Sequence, residues 1–267
     1  MEIQELRCSA PRNIRESLGI ELVNIYVGKD PNRKQFVIHK KLICDKVDFF
    51  HKAFISGFKE NEGTMDLPDE TPEVFGMFVA WLYRSDSEVG KFTTKEQYIG
   101  IFNLYFFAEK LCIEDLQNRL IDHIRLTASP LEEDGDAACV PWITIGFAAV
   151  IFKNTSAESP LRSYCVHELA WRLWGFRDST MPASSNISTI FALWSQQDDL
   201  VKSFFDFLRA SPNDIDSLWD DMMDGELTEC MFHRHGVGEV CYLKAKGQLG
   251  GPFANGNSWS ESMKFED

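Results

Sequence analysis

The feature that most constrains this fold is a change of hydrophobic period within residues 21–54. Residues 21–28 (ELVNIYVG) and 35–39 (QFVIH) are rich in β-branched and aromatic residues, and the turn residues DPNRK separate them. Such a pair predicts a β-hairpin. From Phe49 to Phe54 the apolar residues recur at i, i+1, i+4 and i+5, which predicts the buried face of a helix. This part of the chain is therefore predicted to form a short hairpin followed directly by helices.

Helical patterns dominate the residues that follow. One more short strand is predicted around residues 65–67, and Thr71 with Pro72 predicts a helix start, because threonine caps helices and proline suits the first helical position. Residues 95–111 are apolar on nearly every side, so this helix is expected inside a core or against a partner. Residues 114–126 return to an ordinary amphipathic pattern.

The chain is predicted to contain a mixed region at 20–126 and a helical C-terminal region at 139–229. Between them, residues 127–138 (TASPLEEDGDAA) carry Pro, Gly and four acidic residues, which is typical of a linker. Residues 1–19 form an N-terminal segment. Residues 230–267 contain a Cys/His loop and a tail rich in Gly, Ser and Asn that is predicted to be disordered.

Charge and cysteine usage narrow the class of protein. The 27 Lys and Arg stand against 41 Asp and Glu, a formal net charge of −14. This balance argues against nucleic acid and anionic membrane surfaces as partners, because both require clustered basic residues. No apolar run approaches the ~18 residues of a membrane span. The seven scattered cysteines are typical of a reducing compartment, which predicts the cytoplasm or nucleus.

Motifs for catalysis are missing from the sequence. It has no G-x-S-x-G, no phosphate-binding loop and no dinucleotide fingerprint. His167 and Glu168 could begin a zinc-protease pattern, but Trp171 stands where that pattern requires its second histidine. We therefore predict no catalytic residues, no enzymatic activity and no organic cofactor.

One cluster has the residue types of a metal site. Its pattern is C-x2-H-x-H-x5-C, formed by Cys230, His233, His235 and Cys241. Two thiolates and two imidazoles are suitable ligands for tetrahedral zinc. However, the spacing matches no zinc finger of the C2H2 type, and the two histidines would point apart on an extended strand. Two interpretations stay open, a zinc-binding C-terminal module and a short hairpin with free thiols.

Taken in order, the predicted elements resemble the BTB/POZ domain, most closely the form common in fungal proteins. The stretches that carry the resemblance are VNIYVG, FVIHKKLICDKVDFFHKAFISGFKE, MDLPDETPEVFGMFVAWLY and FFAEKLCIEDLQNRLIDHI, within residues 20–126. The resemblance implies an α+β class: a BTB/POZ fold of short β-strands packed with a cluster of α-helices, followed by an all-α C-terminal region. It also implies a structural role for His39, which lies in the family's F-x-x-H-K stretch.

The resemblance further implies a protein–protein interaction module that acts as a scaffold or adaptor. Family members commonly form homodimers through the first helix and the N-terminal segment, so a homodimer is expected. Leu22 occupies a position where BTB repressors often carry Asp, which argues against corepressor recruitment.

A second implied partner is a cullin, the scaffold of a ubiquitin ligase. Phe58-Lys59-Glu60 is similar to the hydrophobic-x-Glu motif with which many BTB adaptors contact cullins. Phe58 would anchor in an apolar pocket, and Glu60 would pair with a polar group at its rim. In the alternative interpretation, Phe58 closes the core and Glu60 is solvated.

Overall fold

The computed structural model describes residues 18–55, 59–84, 95–127, 143, 145–174, 197–210, 232–236 and 241. These residues divide into two compact units. The first unit takes in the described residues 18–84 with Lys110–Ile113, and the second takes in 95–109 and those from 114 onward. The linker predicted at 127–138 lies almost wholly outside the described residues, and the predicted domain bounds stay a prediction.

The first unit contains a three-stranded sheet and three α-helices. Its elements are β1 (Leu22–Val27), β2 (Lys34–His39), α1 (Lys40–Lys46), α2 (Asp48–Ile55), a 3-10 helix (Lys59–Glu62), β3 (Thr64–Leu67) and α3 (Pro72–Tyr83). The strand order is β2-β1-β3, with β1 antiparallel to β2 and parallel to β3. The predicted hairpin and the predicted strand at 65–67 are confirmed, and so is the α+β class.

The turn after β1 requires a glycine. Gly28 has φ +86°, a left-handed conformation that side chains with a Cβ rarely adopt. A Cβ at this position would also lie 3.3 Å from Cδ of Pro72. Pro72 begins α3 as predicted, and the Oγ1 of Thr71 accepts a hydrogen bond from the backbone N of Val74 at 3.4 Å. The hairpin turn and the start of α3 thus lie against each other.

The core of the first unit is apolar and aromatic. Its fully buried members include Val23, Ile25, Val27, Ile38, Phe50, Phe54, Phe75 and Phe78. The apolar face predicted for α2 is narrower than expected, because Phe50 and Phe54 are buried whereas Phe49 is 40 % exposed. Phe49 and Phe50 lie about 100° apart around the helix, so their rings face different directions, and the core takes up the ring of Phe50.

His39 lies where β2 passes directly into α1. Its Nδ1 is 2.7 Å from the hydroxyl oxygen of Tyr83 on α3, and its backbone N donates to the same oxygen at 3.2 Å. The two rings meet edge to face, with centroids 5.8 Å apart. The contacts of His39 are therefore those of a side chain that joins the end of the sheet to a helix.

The second unit is helical. It contains α4 (Lys95–Lys110, through residue 109), α5 (Glu114–Thr127), α6 (Ile145–Asn154), α7 (Pro160–Trp174) and α8 (Asp198–Ala210). Most described side chains of α4 are buried, and the ring of Phe102 meets that of Phe147 on α6 edge to face at 4.5 Å. Of the two locations expected for this apolar helix, a core is confirmed. Among the helices within the described ranges, none is long and apolar enough to cross a membrane.

Polar contacts also hold α4 to the loop that precedes α7. The Glu109 carboxylate accepts hydrogen bonds from the backbone N and the hydroxyl of Ser156, each at 2.7 Å, and from the hydroxyl of Ser159 at 2.6 Å. The Tyr105 hydroxyl lies 3.4 Å from that of Ser159, and burial raises the pKa of Tyr105 to about 12. The Glu109 carboxylate, which accepts three hydrogen bonds, and the neutral Tyr105 hydroxyl thus join α4 to the residues just before α7.

Candidate functional site

Glu60 of the predicted cullin motif lies on the 3-10 helix that precedes β3. Its side chain is half-buried, and its carbonyl accepts a hydrogen bond from the backbone N of Gly63 at 2.9 Å. The carbonyl of Gly63 in turn accepts from the backbone N of Asn24 on β1 at 2.8 Å. Glu60 is therefore held at the edge of the sheet. Phe58 lies outside the described residues, so its anchoring role stays a prediction.

The outer face of the sheet carries exposed apolar side chains at one end. Leu22 on β1 and Val37 on β2 are 53 % and 54 % exposed, and Ile20, just before β1, is 77 % exposed. The register places Leu22 opposite His39 and Val37 opposite Asn24, so all four side chains share one face. We call Ile20, Leu22 and Val37 the outer patch.

The start of β1 is charged as well as apolar. Glu21 is exposed, and its carboxylate lies 3.4 Å from Nζ of Lys40 at the start of α1. Its carbonyl accepts a hydrogen bond from the backbone N of Lys40 at 2.9 Å. Leu22, at the position where BTB repressors often carry Asp, is apolar and exposed.

Three of the four residues predicted as metal ligands come together in the second unit. One ligand atom each from His233, His235 and Cys241 lies within 4.8 Å of the other two. The rings of His233 and His235 are nearly perpendicular, with centroids 5.6 Å apart. The expectation that they point apart is wrong, because residues 233–236 do not form a strand. Cys230, the fourth predicted ligand, lies outside the described residues.

Asp122 on α5 orients His233. Nε2 of His233 is 2.9 Å from Oδ1 of Asp122, and Nδ1 is 3.5 Å from Sγ of Cys241. The side chain of His233 is fully buried, and Cys241 is 3 % exposed. When Nε2 carries the proton and donates a hydrogen bond to the carboxylate, the lone pair of Nδ1 is directed at the sulfur. The three groups form a chain of a partly exposed carboxylate, a buried imidazole and a buried thiol.

The segment around His233 is fastened to α5 by hydrogen bonds between a side chain of α5 and the backbone of Arg234. The side-chain amide of Asn118 donates to the carbonyl of Arg234 at 2.8 Å and accepts from its backbone N at 2.9 Å. The neighbouring Phe232 is almost fully buried, and its ring meets that of Tyr164 on α7 at 5.3 Å. These contacts fix the backbone on both sides of His233.

Sequence reasoning missed Asn118 and Asp122, which precede their partners by 116 and 111 residues. Both were included only in the amphipathic pattern of 114–126. Asn118 is buried beside Leu116 and Gln117, and a buried amide requires partners, but this burial is visible only in the structure.

His167, the residue of the failed zinc-protease pattern, is a packing residue of α7. The centroid of its ring lies 4.3 Å from that of Phe207 and 5.3 Å from that of Phe232. Its Nδ1 is 2.7 Å from the carbonyl oxygen of Ser163. Burial lowers the pKa of His167. The ring borders an open cleft of about 480 Å³ that His233 and Arg234 also line.

In a comparison with known protein families, the model of the BTB/POZ domain matches residues 23–126. The match covers less than half of the 267 residues and includes both strands of the hairpin and helices α1 to α5. No curated protein matches the chain significantly. The BTB/POZ domain is a protein–protein interaction domain, so the match supports a protein-binding role for this part of the chain.

Proposed function

We propose that this chain is a non-enzymatic scaffold or adaptor that self-associates and binds further proteins through the surface of its BTB/POZ domain. The observation that carries the proposal is the outer patch. Its apolar side chains remain exposed although the core beneath the sheet is closed by fully buried side chains. Exposed apolar side chains that cluster on one face are typical of protein-binding surfaces.

A second copy of the chain is the occupant we assign to the outer patch. Ile20 and Leu22 directly follow the N-terminal segment through which BTB/POZ domains commonly dimerise. The patch continues onto β2, which is an edge strand of the described sheet. An edge strand offers unpaired backbone groups next to the apolar side chains, so both kinds of contact are available to the partner copy.

Replacing Leu22 and Val37 with glutamate is expected to convert a dimer into monomers at micromolar concentration. Two unpaired charges in an apolar interface would weaken the dimer by at least about 100-fold. Light scattering of the full chain measures the change. The matched control is Val150→Glu with Phe205→Glu, two exposed positions of the second unit, which should leave the mass unchanged. A wild-type chain that is strictly monomeric would contradict self-association.

The more specific role that we propose is that of a cullin adaptor acting through Phe58 and Glu60. In support, Glu60 is held at the edge of the sheet. The 3-10 helix on which it lies is joined to β1 by backbone hydrogen bonds through Gly63. A half-buried glutamate at a fixed position can pair with a group at the rim of a partner's apolar pocket.

Changing Phe58 and Glu60 to alanine is expected to weaken binding to a purified cullin by at least about 30-fold, the effect of losing one hot-spot residue. Surface plasmon resonance with the full chain measures the affinity. Phe49→Ala with Glu62→Ala is the control, because both residues are exposed and lie on the neighbouring α2 and the same 3-10 helix. The cullin proposal fails if the wild-type chain does not bind, whereas self-association is tested separately.

We assign the described helices α6 and α7 the role of supporting the BTB/POZ domain. Phe147 on α6 contacts Phe102, and Ser156 and Ser159 before α7 hydrogen-bond to Glu109. Their partners Phe102 and Glu109 lie on α4, within the matched residues 23–126.

A further inference from the structure

We propose that His233, His235 and Cys241 bind a zinc ion and that Asp122 positions His233 for this role. Through the hydrogen bond between His233 and Asp122, the site is joined to α5. The proposal rests on the second unit alone and is independent of self-association and of cullin binding.

The distances among the ligand atoms favour tetrahedral zinc. Bond lengths of about 2.3 Å to sulfur and 2.0–2.1 Å to nitrogen place tetrahedral ligand atoms about 3.3–3.6 Å apart. Sγ of Cys241 and Nδ1 of His233 are already 3.5 Å apart. All three ligand atoms lie within 4.8 Å of one another, so the remaining approach is at most about 1.5 Å. His235 is exposed, which leaves its ring room to make that movement.

The hydrogen bond from His233 to Asp122 prepares the imidazole as a ligand. When Nε2 carries the proton and donates it to the carboxylate, Nδ1 is unprotonated and can bind a metal. Metal-bound histidines in proteins usually donate their second N–H to a carboxylate or carbonyl, which fixes the ring and raises its basicity. The distance of 2.9 Å and the complete burial of the His233 side chain match this arrangement.

The backbone on both sides of His233 is also fixed. Phe232 is buried against Tyr164, and the amide of Asn118 makes two hydrogen bonds to the backbone of Arg234. Preorganisation of this kind reduces the conformational entropy lost when the metal binds. His235 is the residue after Arg234, so the second imidazole lies close to the first.

The same carboxylate, imidazole and thiol could instead be the triad of a thiol nucleophile. Two observations favour the metal. Cys241 is 3 % exposed, so a substrate would not reach its sulfur. A triad also gives no role to His235, whose ligand atom lies within 4.8 Å of both other ligand atoms.

The test measures zinc in the untagged full chain after addition of ZnCl2 and dialysis. We expect about one zinc ion per chain, lost in His235→Ala and Cys241→Ser and kept in the controls His51→Ala and Cys112→Ser, which replace exposed residues outside the cluster. Asp122→Asn should keep the site but weaken zinc binding about 10–100-fold, because it removes the orienting charge. A chelator should lower the Tm of the wild-type chain and leave that of Cys241→Ser unchanged.

A second measurement keeps the proposal testable if a variant fails to fold. Cobalt added to the wild-type chain should give the charge-transfer absorption of a thiolate ligand together with the visible bands of a tetrahedral ion. Only trace zinc in the wild-type chain, undiminished zinc in Cys241→Ser, or no thiolate band with cobalt would each overturn the proposal. Faster alkylation of Cys241 than of the exposed Cys112 in the presence of zinc would also overturn it and would indicate a nucleophile.

Discussion

The Phe50→Ala variant is expected to lose about 3–5 kcal/mol of the free energy of unfolding, the usual cost of removing a buried phenylalanine ring. Phe50 on α2 is fully buried, and its ring stacks with those of Phe54 at 6.2 Å and Phe78 at 5.9 Å. The neighbouring rings belong to two different helices, so neither helix can close the cavity by itself. Urea denaturation of the full chain, followed by circular dichroism, measures the change.

Phe49→Ala is the matched control for this variant. Phe49 is the preceding residue of the same helix and is 40 % exposed, so its truncation removes a ring of the same size from a partly solvated position. We expect a loss below about 1 kcal/mol, in the range of ordinary surface substitutions. Equal losses for the two variants would mean that the aromatic core does not stabilise the first unit.

The Arg162→Met variant is expected to destabilise the second unit by about 2–4 kcal/mol, because buried carbonyl groups lose charged donors. The nearly buried guanidinium of Arg162, in the first turn of α7, donates from Nη2 to the carbonyls of Phe152 and Thr155 at 2.5 Å. Nε also donates to Oγ1 of Thr155 at 3.0 Å. These carbonyls lie at the C-terminal end of α6, where backbone acceptors lack partners within the helix and a positive charge is favourable.

Two further variants separate the lost hydrogen bonds from the lost charge. Arg209→Met removes an exposed arginine of α8 and should change the free energy of unfolding by no more than about 0.5 kcal/mol. Arg162→Lys keeps the charge but cannot reach several acceptors at once, so it should fall between wild type and Arg162→Met. Thermal denaturation ranks the three proteins. If Arg162→Lys is as stable as wild type, the charge alone stabilises the end of α6.

The local patterns of the sequence predicted the elements of the first unit well. The β-branched and aromatic residues of 21–28 and 35–39, with the turn residues between them, predicted the hairpin, and Thr71 with Pro72 predicted the start of α3. These features can be read locally because strands and helices bury their residues with different periods, and because caps act on backbone groups within one turn. The period could not decide between the adjacent rings of Phe49 and Phe50, since both fit the apolar face of α2 within its width.

The candidate metal site, too, was predicted from the sequence only in part. Residue types alone predicted Cys230, His233, His235 and Cys241 as candidate ligands, because few side chains can bind zinc. The sequence did not predict that the histidines meet, since a regular strand would separate them. It also offered no indication of Asp122, which lies 111 residues before His233 on a helix with an ordinary amphipathic pattern.

By itself, then, the sequence determined the order and type of the elements, the BTB/POZ resemblance of residues 20–126 and the residue types of the candidate metal site. Only the tertiary structure decided that α4 lies in a core, that the outer patch is exposed and that Asp122 and Asn118 hold the Cys/His segment. The physical reason is the range of the interactions. Backbone hydrogen bonding and hydrophobic period act between residues near in sequence, whereas these contacts join residues tens to more than a hundred positions apart and form only when the helices pack.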